Sequence, residues 1–161
     1  MNMNLQTEQP NAAHRDLDCY DTLNLVKAFV DDQLRAVQAA QAAADKLAQA
    51  VDAAVARIRE GGRLLYFGAG TSGRLALLDS VELHPTFSWE GSRAVASLAG
   101  GTKALYEAVE GAEDDADAGL ADLLALQPGA HDVVIVVAAS GRTPYVLGAL
   151  QGARERQLLT L

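Results

Sequence analysis

Between Arg63 and Leu78 the chain passes from a short apolar run, Leu64-Leu65-Tyr66-Phe67, through Gly68-Ala69-Gly70-Thr71-Ser72-Gly73, into Arg74-Leu75-Ala76-Leu77-Leu78. Strand, glycine-rich turn and helix in that order bring backbone N–H groups and a helix N-terminus to one point. Such a point attracts anions through unsatisfied donors and the helix dipole. Glycine lets the backbone approach a ligand closely, and the hydroxyls of Thr71 and Ser72 add donors. The stretch reads as a phosphate cradle.

Two other readings of the same turn stay open. Gly68-Ala69-Gly70-Thr71-Ser72-Gly73 satisfies G-x-G-x-x-G, the signature of a dinucleotide site, which also calls for an acidic residue about 20 positions on. The second strand candidate, Arg93-Ala94-Val95-Ala96-Ser97-Leu98, runs instead into Ala99-Gly100-Gly101 with no carboxylate. The plainer alternative is a tight turn without a ligand.

A second strand–turn–helix strengthens the phosphate reading. Asp132-Val133-Val134-Ile135-Val136-Val137-Ala138 is a run of β-branched residues long enough to be buried on both faces, as in a parallel sheet. It leads into Ala139-Ser140-Gly141-Arg142-Thr143-Pro144 and then the helical Tyr145-Val146-Leu147-Gly148-Ala149-Leu150, with Pro144 suited to the first helical turn. In a doubly wound sheet of order 2-1-3-4, the first and third strands are neighbours, and their carboxyl ends flank the switch point where ligands bind. The two hydroxyl-bearing turns are then expected to face one crevice.

The rest of the chain divides around these units. Residues 1–21 read as a polar arm. Residues 22–60 hold neither Gly nor Pro, and Val37, Ala44, Val51 and Ile58 recur every seven positions, with Ala40, Leu47 and Ala54 three further along. This is a helical apolar seam, closed by Gly61-Gly62. Unbroken it would run ~58 Å, too far for a small domain, so a break or two helices are expected, packed on a sheet or a second subunit. Residues 61–161 read as an α/β domain. Within it the pattern predicts helices from Ser72 to about Leu83, ended by Pro85, around Lys103–Val109, and from the acidic run Glu113-Asp114-Asp115-Ala116-Asp117 through Leu126. That run lacks the alternating ligands and central glycine of a calcium loop. Gln157-Leu158-Leu159-Thr160-Leu161 opens a fourth strand in which the sequence stops, as expected of a fragment, a truncated gene or a chain completed by another polypeptide.

Bulk properties exclude several classes. A net charge of −8 argues against nucleic acid and anionic membranes. The single cysteine, Cys19, rules out a disulfide framework, and His14, His84 and His131 lack metal-ligand spacing. No apolar run is of membrane-spanning length and the N-terminus is not signal-like, so a cytoplasmic protein with no metal or other cofactor is expected.

Several long motifs resemble one family. Gly68 to Leu75, with Leu78-Asp79, Glu82 and Pro85-Thr86-Phe87, resembles a GAGTSGRL…LD…E…PTF segment. Ala108-Val109-Glu110-Gly111-Ala112-Glu113-Asp114 resembles AVEGAED, and Ala138 to Val146 resembles AASGRTPYV. Even Thr7-Glu8-Gln9 and Asp16-Leu17-Asp18 of the arm are similar. These residues resemble the SIS (sugar isomerase) phosphosugar-binding domain and, more narrowly, the N-acetylmuramic acid 6-phosphate etherases of bacterial cell-wall recycling. The resemblance implies cleavage of the D-lactyl ether by elimination and hydration, giving N-acetylglucosamine 6-phosphate and D-lactate. It implies Glu82 as the acid that helps lactate leave and Glu113 as the partner base, with Glu110 and Asp114 close enough in sequence to compete for that role. Phosphate is implied to lie on Gly70, Thr71, Ser72 and Gly73 and on Ser140, Gly141 and Thr143. A homodimer follows by family analogy and from the seam. Arg74 and Arg142 read either as phosphate supports or as solvated or interface residues. Where the family has Glu-Cys-Pro-Pro-Thr-Phe this chain has Glu82-Leu83-His84-Pro85-Thr86-Phe87, and family members are nearly twice as long. A non-catalytic phosphosugar sensor and a sugar-phosphate isomerase are the competing readings; the AVEGAED segment separates the etherase from the isomerase.

Overall fold

The structure is a computed structural model describing residues 9–161. The first eight residues of the arm, including Thr7 and Glu8, lie outside the described residues. The chain divides into two compact units at Val51/Asp52.

In the first unit, the described part of the polar arm holds single 3₁₀ turns at Ala12–His14 and Leu17–Cys19. Helix α1 (Thr22–Ala42) follows, begun by Asp21, whose carboxylate accepts from the Asn24 N–H at 2.8 Å. Ala43 interrupts the helical run: its N–H is shared between the carbonyls of Ala39 and Ala40, and α2 (Ala44–Arg59) begins directly after it. Leu23, Val26, Phe29, Val30, Leu34 and Val37 of α1 are exposed.

The second unit is a four-stranded parallel sheet of order β2-β1-β3-β4, built from β1 (Leu64–Gly68), β2 (Ala94–Leu98), β3 (Val133–Val137) and β4 (Leu159–Thr160). All five residues of β1 are buried, as a central strand covered on both faces requires. Alternation along the strands sends side chains to two cores. Leu65, Phe67 and Val134 meet α4 (Ala116–Ala125) and α5 (Pro144–Glu155) through Leu123, Tyr145, Val146 and Ala149. Leu64, Tyr66 and Val133 meet Ala76 and Leu83 of α3 (Gly70–Phe87), together with Ala54 and Ile58. The doubly wound α/β architecture expected from the sequence is the one observed.

Three elements differ from the sequence expectation. Helix α3 starts at Gly70 and carries Pro85 within its last turn, ending at Ser88 in the left-handed region (φ 55°). Proline so near the end forgoes only the bond to the Val81 carbonyl, and the turn already wound behind it continues for two residues. The stretch expected as helix around Lys103–Val109 is a 3₁₀ turn, Gly101–Leu105, followed by irregular chain. Positive φ at Gly100, Gly101 and Gly111 brackets this segment and breaks any longer helix. The acidic run splits into a 3₁₀ turn, Ala112–Asp114, and Asp115, which caps α4 by accepting from the Ala118 N–H at 2.8 Å.

Candidate functional site

The glycine turn after β1 is shaped by a backbone-to-backbone contact. A Cβ placed on Gly73 would lie 2.2 Å from Leu98 Cδ1 and 2.7 Å from the Gly68 carbonyl oxygen, so the first turn of α3 rests directly on the ends of β1 and β2. Ala69 at the N-cap has no side chain able to cap the helix, and the Gly73 N–H is taken by the Ala69 carbonyl at 3.1 Å. The preceding first-turn N–H groups have no partner within the helix and stand at the positive end of its 18 residues.

A cavity of about 220 Å³ opens against this turn. Ala69, Gly70 and Arg74 form one side, and the segment from Glu107 to Glu113 forms the other. Gly70 and Glu113 therefore share one cavity, and Glu110 lines it as well. Asp114, the third carboxylate that sequence left in contention, does not. The start of α3 and the carboxylates of Glu107, Glu110 and Glu113 thus line one small pocket.

The remaining expected site residues fall elsewhere. Thr71 is exposed, Ser72 half-buried and Gly73 buried, and none of the three lines the cavity. Glu82 is exposed on α3 and does not line it either. It lies twelve residues beyond Gly70, or ~18 Å along the unbroken helix. The second turn starts beside the first, since Gly68 and Val137 are partners at the ends of adjacent parallel strands. Its residues Ser140, Gly141 and Thr143 stand outside the cavity wall. There Ser140 Oγ accepts from the Arg142 N–H at 3.1 Å, Gly141 has φ 63°, and Thr143 precedes Pro144 at the start of α5.

Two polar arrangements left little trace in the sequence. Arg74 donates from Nε to the Ala104 carbonyl at 3.0 Å and from its terminal nitrogen to the Glu107 carbonyl at 3.3 Å. Its partners stand 30 and 33 positions away, so local spacing could not have announced them. The second is a cluster of Ser97 on β2, Asp122 on α4 and Tyr145 on α5. Burial, reinforced by the neighbouring Asp122 carboxylate, pushes the Tyr145 phenol well above its ordinary range, so it acts as a neutral donor. On the other face Tyr66 donates to Asp79 at 2.7 Å and is likewise held protonated, chiefly by burial and then by Asp79. Among the described residues no group of three His, Cys, Asp or Glu is placed to hold a metal ion. Nor is any described helix long and apolar enough to cross a membrane.

Comparison with known proteins identifies the family. Residues 46–154 match the family described as the glucokinase regulatory protein N-terminal SIS domain. An N-acetylmuramic acid 6-phosphate etherase of Deinococcus radiodurans is 54% identical over 156 residues, covering 97% of this chain and 51% of that protein. Proteins of the same name from Cutibacterium acnes and Lactobacillus gasseri are 47% and 46% identical, covering 96% and 98% of this chain and 51% and 53% of their own lengths. The chain thus spans about half the length of the curated relatives it matches. It belongs to the SIS domain family and, along nearly all of its own sequence, is similar to N-acetylmuramic acid 6-phosphate etherases.

Proposed function

We propose that this chain carries the phosphosugar-binding turns and both catalytic carboxylates of an etherase that cleaves the D-lactyl ether of N-acetylmuramic acid 6-phosphate. The observation that carries the reading is the shared cavity of Gly70 and Glu113. The phosphate sits on the N–H groups of Gly70, Thr71 and Ser72 and the hydroxyls of Thr71 and Ser72, where Gly73 lets the helix start lie close, with Ser140, Gly141 and Thr143 of the adjoining turn closing on it. With the phosphate there, the sugar extends towards Glu113.

The chemistry needs one base and one acid. In the open-chain sugar, Glu113 takes the proton at C2, which is acidified by the C1 aldehyde. The electrons of that C–H bond form a C2–C3 double bond as the C3–O bond to lactate breaks. The departing oxygen receives a proton from Glu82 and leaves as D-lactate. Water then adds at C3 and a proton returns to C2, giving N-acetylglucosamine 6-phosphate. Since Glu82 lies ~18 Å along α3 from Gly70, further than a hexose phosphate is long, it reaches the sugar from a second copy of the chain. Leu75, Leu78 and Val81, which flank Glu82 and are 58%, 56% and 57% exposed, support that reading as surface for another chain to cover. On this reading the protein works in the cytoplasm as a homodimer, with neither metal nor nucleotide.

The test is D-lactate release from N-acetylmuramic acid 6-phosphate, measured for the chain and for Glu113→Gln and Glu82→Gln. Release that falls at least ~100-fold in each variant supports the assignment. A folded chain that releases none contradicts it.

A further inference from the structure

Arg74 stands one residue after Gly73, opening the second turn of α3, and lines the cavity. A cation there invites the role of phosphate ligand, but the geometry of its side chain points to another. Its fork is directed at two main-chain carbonyls, those of Ala104 and Glu107, at 3.0 and 3.3 Å.

Those carbonyls lie where the backbone has little regular structure of its own. The 3₁₀ turn Gly101–Leu105 ends there, and the N–H groups of Tyr106 and Glu107 both converge on the Lys103 carbonyl at 3.1 Å. From Glu107 the chain turns back, packing Val109 against Gly100: a Cβ on Gly100 would meet Val109 Cβ at 3.0 Å. It then presents Glu110 and Glu113 to the cavity. Without a helix or sheet ladder, a segment of this kind opens at low free energy unless tertiary contacts hold it. Arg74 supplies such a contact from the helix whose first turn forms the opposite wall.

We propose that Arg74 is a positioning residue, tying the Glu107–Glu113 segment to α3 and so setting the distance between the anion-binding turn and the Glu113 carboxylate. The functional half of this inference rests on the sugar-phosphate reading above; the tie itself does not. A lysine keeps the charge but has a single ammonium in place of a planar fork, so it cannot hold both carbonyls in the same geometry. Charge and fork can therefore be separated experimentally.

The experiment compares the full chain with Arg74→Lys and Arg74→Gln in two assays. In amide hydrogen exchange, residues 104–113 are expected to exchange at least ~10-fold faster in both variants, with 64–68 unchanged. In D-lactate release from N-acetylmuramic acid 6-phosphate, both variants are expected to lose at least ~10-fold in kcat while KM stays within about threefold. Affinity for N-acetylglucosamine 6-phosphate should stay within the same factor. The proposal is overturned if exchange of 104–113 is unchanged. It is also overturned if Arg74→Lys behaves as wild type while Arg74→Gln weakens sugar-phosphate affinity about tenfold or more, since charge on the phosphate would then be its role. If the wild-type chain releases no lactate, the etherase reading fails by itself. The exchange measurement then decides the tie: faster exchange in both variants supports it, and unchanged exchange overturns it.

Discussion

The Tyr145 hydroxyl donates to Asp122 Oδ2 at 2.5 Å, and Ser97 Oγ donates to the same oxygen at 3.0 Å. The two hydroxyls are themselves 2.9 Å apart. Tyr145 is 1% exposed and follows Pro144 in the first turn of α5, directly after the second hydroxyl-bearing turn. One carboxylate thus joins β2, α4 and α5 beneath the Ser140–Thr143 turn. Tyr145→Phe removes one donor while filling the same space, leaving Asp122 partly unsatisfied at a cost of about 1–3 kcal/mol. Denaturant unfolding should show that loss, with a smaller one for Ser97→Ala.

Arg63 and Asp132 join the N-terminal ends of β1 and β3. Their ion pair is 2.6 Å long, and Asp132, 4% exposed, also accepts from the Arg63 and Gly129 N–H groups at 2.8 and 2.9 Å. Burial pushes the Asp132 carboxyl upward, but Arg63 and the two backbone donors outweigh it and hold the group below the ordinary aspartate range. A depressed folded-state value contributes stability above the unfolded pKa, about 3.9, and that contribution is lost as pH falls below it. Stability should therefore drop on acidification below about pH 4, and Asp132→Asn should flatten that part of the profile. Removing the partner altogether, as in Asp132→Ala, is expected to cost about 3 kcal/mol, because it leaves the Arg63 fork without its carboxylate.

Gly73→Ala tests the packing under the cradle. The new methyl would meet Leu98 Cδ1 at 2.2 Å and the Gly68 carbonyl oxygen at 2.7 Å. The leucine tip can turn aside, but the carbonyl belongs to a central buried strand and cannot. The helix start must then move away from β1, at about 1–3 kcal/mol, and sugar-phosphate affinity should fall with it. Calorimetry of unfolding and of N-acetylglucosamine 6-phosphate binding reads both effects.

The core makes a simpler prediction. Leu123 of α4 is fully buried between Leu65, Val134 and the α5 residues Tyr145 and Ala149. Leu123→Ala should cost about 2–5 kcal/mol, measured by thermal or denaturant unfolding.

The parts of this molecule that were legible in the sequence are those fixed by local chemistry. Leu64 to Phe67 and Val133 to Val137 are apolar runs bounded by turn residues, and their identity as neighbouring parallel strands followed from the repeated strand–turn–helix order. The residues from Gly101 to Glu113 were not legible. An alanine- and leucine-containing stretch suggested a helix, whereas glycines at positive φ and the distant Arg74 fork determine its actual path. The same limit applied to the carboxylates. Spacing left Glu110, Glu113 and Asp114 equivalent, and only the folded wall of the cavity separates the first two from the third. Glu82 illustrates the converse, because its place in a motif says nothing about the ~18 Å of helix between it and Gly70.

The most direct measurement is a titration of the isotope-labelled chain with N-acetylglucosamine 6-phosphate and, in parallel, N-acetylglucosamine, followed by backbone amide chemical shifts. The phosphorylated sugar should move Gly70, Thr71 and Ser72 together with residues 110–113, and the unphosphorylated sugar should leave Gly70 to Ser72 unmoved. Shifts confined to other parts of the chain, or equal responses to the two sugars, would contradict a phosphosugar site between Gly70 and Glu113.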